Sequence, residues 1–561
     1  MKLLKGVGAS AGVAVAPVLL LHDADFVVPD ADDPMEALKA AAAAVVTQLQ
    51  SLSSEAGELG RTDAAEVLQA QSFMAMDPMI EDAVQTHLTQ GSSFDDALRG
   101  ASADLSHMLA SLPDPYLAAR AADIGEVLER IRHQLAGLPA PGSIDLTTPS
   151  VLCAETLTAA QTALLDPTLV LGLATVEGGP TSHVAIIARA LGVPAVVGVA
   201  GLVDEVANGV TIALDGTTGE FVVEPDDVTS EEFGVRAEQV AQLAAAAAEF
   251  RGRKISVGDR AVHISANVAN EMDLDRAVEA QADGIGLFRT EFLFLDRPAP
   301  PTEDEQFEVY AKALKAFAEP VTIRTFDIGG DKPASFLDLP AEENPFLGVR
   351  GVRLYEHEYE MFLTQLRALL RAAPFGDLWV MIPMIATDSE ITFVHKAFDE
   401  ARAQLDAKGV DYGRISLGAM VEVPSAALQA MAMSSRLDFM SIGTNDLTQY
   451  TLAADRTNGA VDQLTDFLHP AVLQLCQMTA EAGVERGIPV SVCGLAAADP
   501  LAAKLFVEMG ISKLSVAGPS VNLIKADLAS MQPDALSGLA DAVASAAEAA
   551  DVRRLGADYL T

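Results

Sequence analysis

Cysteine is scarce in this chain: its 561 residues include three, Cys153, Cys476 and Cys493, odd in number and far apart. That argues against a disulfide framework, and the compartment reads as reducing and cytosolic. CxxC and HExxH spacings are absent, so nothing in the pattern suggests zinc. Also missing is any apolar run approaching the roughly 18 to 20 residues of a membrane span. The opening MKLLKGVGASAGVAVAPVLLL has the Lys and apolar residues of a secretory leader. Its glycines and lack of cleavage context read instead as strand, turn and strand. Basic residues are the third scarcity, with Lys and Arg numbering 37 against 79 Asp and Glu, a net charge of −42. Such a field argues against nucleic acid as a partner. It serves solubility, or a docking face for a basic protein.

What is present is globular composition, half of it hydrophobic and a fifth charged. The texture changes along the chain. Residues 1–22 are apolar and glycine-rich, like short strands. Residues 23–142 carry helical spacing, as in PMEALKAAAAAVVTQLQSL and DAAEVLQAQSFMAM, punctuated at Asp77-Pro78 and Leu112-Pro113. Residues 143–225 hold short β-rich runs between Gly, Pro and Asp turns. The reading is a compact α/β domain of 1–22 and 143–225 with an all-helical insertion at 23–142, followed by a linker helix at 226–254. From 255 to 561 eight strand-like runs alternate with helical stretches: AVHISAN, GIGLFR, VTIRTFDI, LWVMIPM, ISLGAMVE, DFMSIGT, IPVSVCG and ISKLSVA. Eight such units predict a closed (β/α)₈ barrel, with a doubly wound open sheet as the alternative.

Barrel chemistry gathers where strands end. Here those ends carry Arg289, Arg324, Glu422, Asn445 with Asp446, and Cys493, with Arg456 ten residues beyond Asp446. Arginine offers a planar fork of donors to phosphate and carboxylate. Glu422 and Asp446 offer hard oxygens to Mg²⁺ or Mn²⁺. A thiol can deliver a proton to carbon. Any one of these residues alone reads as a salt bridge, a turn or a core side chain; their convergence is what points to a small phosphorylated acid.

The strongest local pattern is GGPTSHVAIIARALGVPAVVG, residues 178–198. A strand and turn precede it, and Thr181 or Ser182 can cap a helix that begins near His183. A helix N-terminus favours an anion, and a neutral imidazole is a competent nucleophile near pH 7. His183 therefore reads as a phosphoryl carrier.

These stretches, together with DGIGLFRTEFLF, IRTFDIGGDK, ENPFLGVRGVRL, MVEVPSAA, SIGTNDLTQYTLAADR and VCGLAAADP, resemble Enzyme I of the bacterial phosphoenolpyruvate:sugar phosphotransferase system along essentially the whole chain. The resemblance implies a swivelling phosphohistidine domain, a helical insertion that docks the phosphocarrier protein HPr, and a barrel that binds phosphoenolpyruvate and forms a homodimer in the cytoplasm. It implies that His183 passes the phosphoryl group to HPr. Arg289, Arg324, Asn445, Asp446 and Arg456 would hold substrate, Glu422 and Asp446 would bind Mg²⁺, and Cys493 would protonate the enolate. A regulatory, nitrogen-type paralogue with another HPr-like acceptor is the alternative. A dikinase or synthase that shares the barrel is disfavoured, since no glycine-rich phosphate loop is seen. The chain departs from the family pattern at Leu495, where Glu is common, at Val349, where an aromatic is usual, and at Gln71, where His is expected. Those changes bear on the surroundings of Cys493 and on docking.

Overall fold

The computed structural model describes the chain apart from residues 22–25, 59–61, 111–120, 140–145, 147, 158–160, 162–164, 167, 180–183, 186, 189–191, 296, 330–333, 335, 338–341, 457, 459–460, 462–463, 532–537 and 561. It divides into two compact units, Met1–Gln242 and Leu243–Thr561.

In the first unit, eight strands form one mixed sheet in the order β1-β8-β7-β3-β4-β5-β6-β2. The opening segment supplies β1 (Lys2–Lys5), β2 (Val7–Ser10) and β3 (Val13–Leu21). The rest are β4 (Ser150–Ala154), β5 (Val170–Thr175), β6 (Ala195–Val197), β7 (Thr211–Asp215) and β8 (Glu220–Val223). β3 and β4 pair in parallel, with Leu21 opposite Ala154. The chain thus leaves the sheet after β3 and re-enters beside it. Between them the described elements are helices: Pro34–Glu58, Thr62–Met74, Pro78–Thr89, Phe94–Ala110 and Ala121–Leu135. In the first helix Leu38, Ala41, Ala42, Val45 and Leu49 recur at steps of three and four, and all are buried. That is the stripe of a helix packed on one side. The Asp77-Pro78 punctuation is a helix start: the Asp77 carboxylate accepts from the Met79 N–H at 2.9 Å, and Pro78 takes the first helical position. A helix spans Asp227–Ala248, and the boundary between the units falls inside it.

The second unit is the closed barrel. Its strands are β10 (Arg260–Val268), β11 (Ile285–Arg289), β12 (Val321–Arg324), β13 (Leu378–Ile382), β14 (Ser416–Val421), β15 (Phe439–Gly443), β16 (Val490–Cys493) and β17 (Lys513–Ala517). A short β9 (Ile255–Val257) folds antiparallel onto β10. β10 pairs in parallel with both β11 and β17, so no edge remains between them. That closure rules out the open doubly wound sheet. The strands read as near-continuous apolar runs because helices cover them outside and side chains fill them inside. The lumen is packed by Leu287, Trp379, Met381, Met420, Phe439 and Cys493. Outside, the helix Glu303–Ala316 begins with a capping box between Thr302 and Glu305. No described helix is long and apolar enough to cross a membrane.

Candidate active site at the barrel mouth

Parallel strands bring their carboxyl ends to one rim, and register sets the height of each side chain. Arg289 lies opposite Arg324, and Gly443 opposite Cys493. Glu422 follows the last residue of β14. Asn445 and Asp446 sit in the first turn of the helix Thr444–Leu452 that follows β15. Arg289, Arg324, Glu422, Asn445, Asp446, Arg456 and Cys493, named from the sequence, therefore meet at one mouth.

The buried charges there form a chain of alternating sign. Arg324 donates to the Glu291 carboxylate at 2.7 Å and lies 3.1 Å from Asp327. Asp327 also accepts a two-pronged contact from Arg350, at 3.2 and 2.7 Å. Arg350 reaches Asp446 at 3.5 Å, and Arg456 reaches the same carboxylate at 3.7 Å. Burial alone would make the Arg324 guanidinium easier to deprotonate. The carboxylates of Glu291, Asp327 and Glu422 outweigh it and hold the charge more firmly than usual. The same holds at Arg350, where Asp327 and Asp446 oppose burial. Arg350 was not singled out from the sequence. Its only signal was an arginine in the motif ENPFLGVRGVRL, and its pairing depends on a loop folding back over the rim.

Glu422 is the strained member. Burial first, then the Asp446 and Asp327 carboxylates, push its carboxyl up to about 8, against the pull of Arg324 and Arg350. One of its oxygens accepts from the Met384 N–H at 2.7 Å. Met384 holds a left-handed backbone with φ of 60°, a conformation that costs a non-glycine residue about 1 to 3 kcal/mol. Gly351 lies against it, with φ of 56° and room for a Cβ only 3.0 Å from the Met384 Cβ. Glu422, held by a backbone N–H, and Asp446, with its guanidinium contacts no shorter than 3.5 Å, are buried carboxylates of a kind that suits a hard divalent cation. Among the described residues no group of three or more potential ligand side chains occurs. Magnesium, which keeps waters and takes substrate oxygens, needs one or two.

Cys493 is buried in the lumen. Its thiol donates toward the Ile442 carbonyl at 3.6 Å and accepts from the Ser441 hydroxyl at 3.4 Å. Burial pushes the thiol up to about 11, with Glu422 adding to the rise, so it keeps its proton at neutral pH. Asn445 accepts from the Leu495 N–H at 3.0 Å. The Leu495 side chain is 71% exposed, so this position meets the site through its backbone. Two buried polar atoms at the rim, Thr444 Oγ1 and Arg324 Nε, have no partner among the described residues.

His183, Thr181 and Ser182 lie outside the described residues. Next to them, Val184 and Ala185 are helical, between β5 and β6. Gln71, where the family pattern has His, is fully buried and donates to Asp123 at 3.1 Å and Glu126 at 3.0 Å. An amide there serves two acidic neighbours inside the helical core.

A parallel barrel whose rim gathers arginines, carboxylates and a protonated thiol defines an enzyme for a small, multiply anionic substrate. Residues 244–533 match the family model described as "PEP-utilising enzyme, PEP-binding domain"; 146–219 match its mobile domain and 5–120 its N-terminal domain. The chain is 42% identical to the phosphoenolpyruvate-protein phosphotransferase of Streptomyces coelicolor, over 99% of this chain and 98% of that one. It is 37% identical to the enzyme of that name from Bacillus subtilis, over 93% of each. With the multiphosphoryl transfer protein of Rhodobacter capsulatus it shares 38% identity over 98% of its own length and 67% of the relative's. The chain belongs to the phosphoenolpyruvate-protein phosphotransferase family, Enzyme I, whose substrate is phosphoenolpyruvate.

Proposed function

We propose that this chain moves the phosphoryl group of phosphoenolpyruvate onto His183 and then onto the histidine of HPr, releasing pyruvate and opening a sugar-uptake relay. The observation that carries the reading is the convergence of Arg324, Glu422, Asp446 and Cys493 at one mouth in a member of this family.

In this reading Arg289, Arg324 and Arg456 hold the substrate's phosphate and carboxylate, with Asn445, Asp446 and the unpartnered Thr444 hydroxyl at the helix N-terminus beside them. Glu422 and Asp446 would hold Mg²⁺, which when bound offsets the charge on substrate oxygens. A neutral nitrogen of His183 attacks phosphorus in line with the enol oxygen. The P–N bond forms, the P–O bond breaks, and its electron pair leaves with the enolate. The Cys493 proton then goes to the methylene carbon to give pyruvate, and solvent restores the thiol. A thiol held at about 11 is loaded for that step at neutral pH. His183 must serve both the mouth and a second protein, which calls for a swivelling carrier domain. In this reading the helical region supplies the dock, where Phe73, Met76, Met79 and Met108 are exposed apolar side chains. The same reading makes the enzyme a cytoplasmic homodimer, and its three free, buried cysteines suit a reducing compartment.

The test is phosphoenolpyruvate labelled in its phosphoryl group, given with Mg²⁺ to the protein and to His183→Ala, followed by HPr. Acid-labile label on the first alone, chased onto HPr, supports the whole reading. Label that HPr cannot remove points to the nitrogen-type acceptor. No label on either sinks it.

A further inference from the structure

Behind the rim lies a polar array that the chemistry above does not use. Gln365, on the outer helix Tyr359–Ala372, is fully buried. Its amide oxygen accepts from the Phe326 N–H at 3.0 Å. Its amide nitrogen donates to the Thr290 hydroxyl at 3.0 Å and to the Tyr310 hydroxyl at 2.9 Å. Both hydroxyls spend their own protons elsewhere: Thr290 on the Arg324 carbonyl at 2.8 Å, Tyr310 on the Gln306 amide oxygen at 3.1 Å. Thr290, Tyr310 and Gln306 are fully buried as well. Each donor in the array thereby has its acceptor, with Gln365 at the centre.

The placement gives this a consequence. Thr290 stands between Arg289 and Glu291, and Phe326 stands between the Arg324-Thr325 pair and Asp327. One planar amide therefore ties together the two loops that carry both strand-end arginines and both carboxylates paired to Arg324. We infer that Gln365 is a positioning residue for phosphoenolpyruvate: it sets the spacing of the Arg289 and Arg324 loops and so the fit of the substrate's anionic groups, without touching substrate. This rests on the assignment of those arginines to the substrate. A fully buried amide that only stabilised the fold would need partners, but not these two loops.

A misplaced pair of arginines weakens binding in ground and transition states alike, so the effect falls on KM more than on kcat. Gln365→Met keeps the length and removes every hydrogen bond. Gln365→Glu keeps the shape and reverses donation, forcing Thr290 and Tyr310 to abandon Arg324 and Gln306. The KM for phosphoenolpyruvate in pyruvate release is expected to rise about tenfold in each, with kcat within about threefold of wild type, as for a loss of uniform binding. Thr290→Val, an isosteric change at the array's edge, guards against a variant that fails to fold. It should raise KM in the same sense, and combining it with Gln365→Met should add little beyond the larger single effect. An unchanged KM in Thr290→Val and in the folded Gln365 variants, or activity lost only in proportion to unfolded protein, overturns the inference. Wild-type protein that releases no pyruvate overturns the functional reading instead.

Discussion

The two ends of the barrel handle buried charge in opposite ways. Where the strands begin, Lys525 and Asp283 form a closed pair at 2.8 Å, one fully buried and the other nearly so. The second Asp283 oxygen accepts from the Ile264 N–H at 2.9 Å. One cation meets one anion, and the pair is finished. At the mouth Asp327 is divided between Arg324 and Arg350, Asp446 between Arg350 and Arg456 at 3.5 and 3.7 Å, and Glu422 takes a backbone N–H. Charges there are packed closely but not closed into pairs, which leaves capacity for a ligand's charges. The starting end serves stability and the mouth serves chemistry.

That contrast can be broken at either end. Cys493→Ala should lower pyruvate release about a thousandfold, within the range of a lost general acid, while leaving the urea unfolding midpoint near wild type; steady-state kinetics beside a denaturation curve check both. Lys525→Met should do the reverse. Leaving Asp283 buried without its cation costs about 3 to 5 kcal/mol, read in the same denaturation experiment, while the KM for phosphoenolpyruvate stays put. Gly351→Ala joins the two effects. Its φ of 56° and a Cβ 3.2 Å from an Asp327 oxygen would strain the backbone and shift the carboxylate shared by two arginines. A stability loss of about 1 to 3 kcal/mol should come with a raised KM, seen by thermal unfolding and kinetics.

The smallest expected effect is a slope. Lys513 begins β17 with its ammonium 3.7 Å from the centre of the Trp379 ring. Burial brings it from 10.5 down to about 8, against the pull of Asp377 and Glu319. Between about pH 8 and 10.5 the unfolded chain then binds more protons than the folded one, so stability rises with pH across that window. His263 faces Lys513 across the strand pair. Lys513→Met should flatten the rise, as followed by unfolding midpoints at a series of pH values; an unaltered slope would assign it to another group.

Much of this was legible in the sequence because it is local. Each barrel strand is a short β-rich run, and a residue at its end is at the mouth by topology alone. Arg289, Arg324, Glu422 and Cys493 could be placed by that rule, and the helical spacing around Leu38 to Leu49 told its own story. What the sequence hid depends on contacts between distant segments. Arg350 lies far along the connection that follows β12, and its fork needs that connection to fold back on Asp327 near its start. Gln365 sits in an ordinary amphipathic helix, where a single amide looks like a surface residue until Thr290 and Phe326 arrive beside it. The burial of Gln71 was hidden for the same reason: a polar residue in a helix gives no sign of which face it occupies.

The seam that closes the barrel sets a schedule for its making. β10, the first strand, is complete only when β17, the last, lies beside it, with His263 opposite Lys513. That pairing joins nearly the two ends of the second unit, a contact of high order that forms slowly. Arg289 and Arg324 leave the ribosome long before Cys493 and β17 do. The binding site can therefore mature only after β17 has been made, whereas the sheet and helices of the first unit have all their strands in hand far earlier. A nascent chain arrested before β17 would carry most of the residues that recognise phosphoenolpyruvate and hold none of them in place.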